Sequence, residues 1–213
     1  MFRAFLLLLM MAVLSVGSIA VAQDADTPTK GQLEKLPPAI QKKDMISKEV
    51  ATAIFKQCRS FYPRRFTPSA LDTYCDCSMT ATQLALTSQE YVDLQDKKNQ
   101  VITNPVYQKY VTYVVAPCMD MATQDIEYLG CALDRFADSR VANLPRYCQC
   151  VGREARDHVT EFGDVDIMIT MKTNPRVTDP FEALWMNDKY MQSVRNAKDK
   201  CLLTYMKKPM VYN

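Results

Sequence analysis

Tyr74-Cys75-Asp76-Cys77 and Tyr147-Cys148-Gln149-Cys150 are the two stretches on which the fold turns. Each sits inside a set of four cysteines: Cys58, Cys75, Cys77 and Cys118, then Cys131, Cys148, Cys150 and Cys201. The first three members of each set share one spacing, C-x16-C-x-C, at an offset of 73 residues. Leu71 and Leu144 match at the same offset, as do Tyr74 and Tyr147. The fourth cysteine follows the pair by 41 residues in the first set and by 51 in the second. A ten-residue insertion in the second set accounts for the difference, and it aligns Tyr107 and Val111 with Tyr190 and Val194. Matches at so many positions predict an internal duplication.

Outward from the cysteines, the signals are helical. Val50, Ile54, Cys58 and Phe61 recur at helical spacing, behind Ser47 as a cap. Thr67-Pro68 predicts the start of the helix that carries Cys75 and Cys77, and Thr87-Ser88-Gln89-Glu90 reads as a capping box. Asn104-Pro105 predicts another start, with Pro117 ending or kinking that helix before Cys118. In the second copy a helix is expected from about Leu144 to Phe162, with Gly163 terminating it. Asp164 then reads as the cap of a short segment at 165–172. Asp179-Pro180 opens a helical turn, and the last helix is expected over 188–207. Branched and aromatic residues at 110–115 and 165–170 also suit strands, but the flanking caps favour helix. The expected fold is all-α, with two tandem small disulfide-stapled helical bundles.

Two cysteines two residues apart on a helix point about 200° apart. Cys75 and Cys77 therefore do not bond each other, nor do Cys148 and Cys150. Each C-x-C helix should be the hub of its bundle, tied back to Cys58 (or Cys131) and forward to Cys118 (or Cys201). Which cysteine of the pair goes which way stays open, since four cysteines allow three pairings and geometry removes one.

The N-terminus sets the compartment. Arg3 precedes an apolar run from Ala4 to Leu14, and Ala20-Val21-Ala22 offers a cleavage site. Residues 1–22 are expected to be a signal peptide, or otherwise a retained anchor. Residues 23–46 are polar, with Pro28, Pro37 and Pro38, and read as a flexible linker. The two repeats are expected over 47–122 and 123–213. Eight cysteines in an exported chain are expected to be oxidised, in a periplasmic or secreted setting. A net charge of +2 gives no electrostatic reason to bind nucleic acid, or a membrane surface once the signal is cleaved.

Catalytic signals are weak. His158 is the only histidine and is expected on an exposed helix face, without a nucleophile beside it. Glu161, Asp164 and Asp166 form a small acidic group that a helix boundary would explain. The C-x-C pairs suggest a thiol-redox alternative, and Met119, Met121, Met168 and Met171 a copper-handling one. Even cysteine counts favour structural bridges, so no cofactor and no metal are expected. Insertions in repeats often become binding loops, and the insertion region holds the only tryptophan, Trp185. Phe181, Trp185 and Met186 form the first candidate contact patch, and Arg64 and Arg65 a second.

In size and stapling the units are similar to compact exported helical proteins used as bacterial toxin-immunity proteins and enzyme inhibitors, with no shared motif. The expected function is non-enzymatic: an exported protein-binding module, inhibitor-, immunity- or adaptor-like, of unidentified partner and oligomeric state.

Overall fold

The computed structural model describes residues 44–207, apart from Tyr62, Arg64 and the Phe136 side chain. The expected signal peptide, most of the expected linker and Arg64 lie outside the described residues. Among the described residues the chain is helical, with no strand and only two isolated bridges, Met45 to Thr87 and Val141 to Met206. The last residues of the expected linker are packed: Ile46 is buried beside the bridge at Met45.

Polar caps set the helix starts. Helix α1 (Lys48–Ser60) begins at Ser47, whose side chain accepts the Val50 N–H. Helix α2 (Pro68–Ala85) begins at Thr67, with Pro68 in its first turn. Thr87 and Glu90 close a reciprocal capping box on α3 (Ser88–Asp93), and a 3-10 turn follows at Lys97–Asn99. Asn104 caps α4 (Pro105–Tyr110). These side chains accept N–H groups that no helix carbonyl can reach.

Helix α4 does not end before Cys118. It passes through a π-helical stretch, Val111–Val115, into α5 (Ala116–Ala132). Proline has no N–H, and its ring crowds the carbonyl four residues back. The stretch just before Pro117 uses the wider five-residue register, with the Ala116 N–H on the Val111 carbonyl. The helix continues where the proline was expected to end or kink it. The expected boundary between residues 122 and 123 falls inside α5.

Helices α6 (Arg135–Arg140) and α7 (Leu144–Thr173) follow. The expected break at Gly163 is absent: α7 runs for 30 residues, about 45 Å at 1.5 Å per residue. Gly163 and Asp164 are interior and buried, so Asp164 is not a cap. Gly163 has no positive φ. A Cβ there would sit 3.0 Å from Val159 Cγ1 and 3.8 Å from Ala116 Cβ. The glycine serves close packing against α5 and not a helix stop. Helices α8 (Pro180–Met186) and α9 (Asp188–Tyr205) complete the chain, capped by Asp179 and Asn187.

The cysteines pair as Cys58–Cys75, Cys77–Cys118, Cys131–Cys148 and Cys150–Cys201. Each C-x-C helix thus sends its first cysteine back and its second forward. Helix α5 carries Cys118 and Cys131 and so is stapled to both α2 and α7. Its pairing with α7 is the most extensive in the molecule. One core cluster draws Phe66, Leu71 and Leu86 from the first half and Val159, Ile167 and Leu184 from the second. A smaller cluster gathers four cysteines, Cys131, Cys148, Cys150 and Cys201, with Ala137, Val141, Tyr147 and Val151.

Candidate functional site

The two candidate patches meet. Arg65 is exposed on the turn before α2, and its Cζ lies 5.0 Å from the centre of the Trp185 ring. Behind this stack, Phe66 packs edge-on against Tyr74 at 5.7 Å and against Phe181 at 5.1 Å. Tyr74 and Phe181 are 4.9 Å apart, and Phe181 stacks on Trp185 at 6.2 Å. Such edge and offset contacts suit the ring quadrupoles. The cluster locks helix α8 onto the start of α2. Phe181 is therefore core, only 8% exposed, and is corrected from a contact residue to a support. Trp185 is partly covered, and its Nε1–H is buried with no acceptor among the described residues. Met186 is 49% exposed at the edge of the cluster. The structure brings Arg65 and Trp185 together, and Met186 follows Trp185 at the end of α8. Arg64, outside the described residues, has no assigned place there.

Beside this corner a cavity of about 500 Å³ opens between α1, α2, the α3–α4 region and the turn before α8. Tyr74, Tyr91, Tyr107 and Tyr110 line it, with Phe61 and Phe181. The Tyr107 O–H donates to the Thr178 carbonyl at 3.3 Å. Asp179, at the same wall, accepts the Phe181 N–H at 2.9 Å. Burial pushes the Tyr74 phenol well above its ordinary value, with the neighbouring Tyr110 adding to it. Burial likewise raises Tyr107 and Tyr110, and the Asp179 charge raises all three further. The rings stay neutral at any physiological pH. Sequence reading missed this cavity because its tyrosines share the helix faces that also build the core. The only available hint was Tyr107 and Tyr110 three residues apart behind the Asn104-Pro105 cap.

His158 is not the exposed histidine expected. Its Nε2 lies 2.7 Å from Asp166 Oδ2, and the Asp166 side chain is only 2% exposed. Both residues lie within α7, eight residues apart. Asn187 donates to the Asp166 carbonyl, which ties α9 to the pair. The ring also faces Phe162 and Tyr190, and the Tyr190 O–H donates to Glu127 at 2.9 Å. Burial and the Glu127 charge raise the Tyr190 phenol. Of the acidic group, Glu161 is exposed while Asp164 and Asp166 are buried. No cluster of three or more His, Cys, Asp or Glu suited to an ion occurs among the described residues.

The cysteines of each C-x-C pair are committed to different bonds, so the two sulfurs are tied to different helices. No cysteine is free. Among the described residues no helix is long and apolar enough to cross a membrane. No protein-family model, curated protein or solved structure matches the chain.

Proposed function

We propose that this chain is an exported, non-enzymatic binding module that holds another protein at the corner formed by Arg65, Trp185 and Met186. The observation that carries this reading is the meeting of two segments, singled out separately in the sequence, at 5.0 Å. Arginine and tryptophan are enriched among the residues that carry most of the energy of an interface. A stack held from behind by Phe66 and Phe181 is already ordered before a partner arrives, which lowers the entropy cost of binding.

Export accords with the fully paired cysteines and with the signal-like residues 1–22. We also take the two C-x-C halves as copies of one ancestral unit. Cys58–Cys75 and Cys131–Cys148 have the same separation of 17 residues, which supports that reading. Helix α8 is then the added piece that gave one copy a working surface.

The test is affinity capture of the oxidised protein from its own envelope or medium, with Trp185→Ala and Met186→Asp run beside the parent chain. A partner held by the parent should be lost at least about tenfold with either variant, as for an interface anchor. Leu203→Ala, on an exposed site of α9, should retain it. A partner held equally by all forms would overturn the reading.

A further inference from the structure

We propose that the tyrosine-lined cavity binds an alkylated ammonium cation. Its walls present four phenol rings, and Tyr91 and Tyr110 are only partly covered. Ring faces carry negative potential, and cations held over them are attracted most strongly where water is excluded. Among the described residues, no Lys, Arg or His lines the space. Among the described residues the one charge at the wall is the Asp179 carboxylate, fixed by its bond to the Phe181 N–H. Its influence on Tyr74, Tyr107 and Tyr110 places it within electrostatic reach of those three rings. The remaining polar side chains, Gln57, Gln95, Gln100 and Thr178, are neutral groups that can accept or donate.

An anion would meet a carboxylate and no counter-charge. A strongly hydrated cation such as sodium would lose water to rings that cannot replace it. A methylated ammonium is weakly hydrated, spreads its charge over its methyl groups and fits apolar contact and ring faces together. The cavity and the Trp185 corner are separate surfaces, so either reading can fail alone.

The decisive comparison uses the full oxidised chain and no variant. Calorimetric titration with choline is set against 3,3-dimethyl-1-butanol, which has the same shape and no charge. Choline should bind at least roughly tenfold more tightly, the preference expected of desolvated cation–ring contacts. Asp179→Asn should weaken choline several-fold and leave the alcohol unchanged. Tyr110→Leu should weaken choline, while Tyr110→Phe, which keeps the ring, should retain it. A trimethylated N-acetyl-lysine amide, run in parallel, tells whether the preferred source is a free solute or a side chain: preference for either over its uncharged counterpart supports the proposal. Equal binding of choline and the alcohol would mark the cavity as merely apolar and overturn it. Absence of binding by either cation at tens of millimolar would overturn it too.

Discussion

The two C-x-C helices begin alike and end differently. Helix α2 stops at Ala85, whereas α7 continues to Thr173. The sequence offset of 73 residues places Thr87 opposite Thr160, and Glu90 opposite Gly163. Thr87 caps a new helix, with Glu90 closing the box on its backbone N–H. Thr160 lies inside α7 and turns its hydroxyl onto the Arg156 carbonyl at 3.1 Å. One threonine does two jobs, and the residue three places on decides between them. A glutamate at that place offers the chain a fresh helix start. A glycine there offers none, and lets α7 run on close against α5. The break in the first half gives the short elements that wall the tyrosine cavity. The second half keeps His158 and Asp166 within one helix, with Nε2 2.7 Å from Oδ2.

The largest test of this contrast concerns the disulfides. The smaller core cluster is half cysteine, so the second half depends more on its staples. Its Cys150–Cys201 bond also closes 51 residues, against 17 for Cys58–Cys75. Loop-closure entropy gives about 4 kcal/mol for the longer loop and about 3 kcal/mol for the shorter. Replacing both cysteines of Cys150–Cys201 by alanine should therefore lower the unfolding free energy in urea more than the same change at Cys58–Cys75. The reverse order would mean that the second half is held by packing and the first by its staple.

The next test concerns backbone proximity. The offset puts Gly152 opposite Met79. A Cβ on Gly152 would lie 2.6 Å from the Gln124 carbonyl oxygen, a backbone atom of α5 with no room to move away. Gly152→Ala should cost about 1–3 kcal/mol, the range for overpacking, although alanine is the better helix former. Met79 is only partly buried. Met79→Ala should cost about 1 kcal/mol or less, as for sites without a buried special role. Thermal melts of the two variants compare the halves directly. Equal losses would show that α5 lies no closer to one C-x-C helix than to the other.

Much of this architecture was legible in the sequence, and the failures share a cause. The caps at Thr67, Thr87, Asn104 and Asp179 were readable because each is a local side-chain-to-backbone bond. The 200° divergence of C-x-C was readable because it depends only on helix geometry. The choice of Cys75 over Cys77 for Cys58 was not, since it depends on where α1 lies. Gly163 and Pro117 were misread for a similar reason. Glycine and proline signal helix ends when local conformation decides, but here tertiary packing and a π stretch override that. His158 and Asp166 are eight residues apart, a spacing that regular helix geometry does not bring together, so their pairing is not legible in the sequence. Phe181 reads as a contact residue because an aromatic on a short helix looks the same in sequence whether it faces solvent or Phe66.

The smallest effect probes the glutamate that separates the two halves. Partial burial pushes the Glu90 carboxyl up. Hydrogen bonds from Lys109 Nζ at 2.8 Å and the Thr87 N–H at 2.8 Å, with the Lys109 charge, outweigh it and hold it below the ordinary value of 4.5. A carboxyl depressed in the folded state stabilises the fold above its unfolded pKa. That contribution is lost as pH falls below 4.5 and through the folded value. The pair is partly exposed, so the contribution is about 1 kcal/mol or less. Glu90→Gln keeps an oxygen for the Thr87 N–H and removes the charge. Parent and variant should differ in urea midpoint at pH 7 and converge toward pH 3. Glu90→Ala, which also loses the cap, should leave a residual gap at pH 3. A gap for Glu90→Gln that does not change with pH would mean that Glu90 acts on the fold through shape alone. The distinction between its position and that of Gly163 would then be one of helix capping, with no part played by charge.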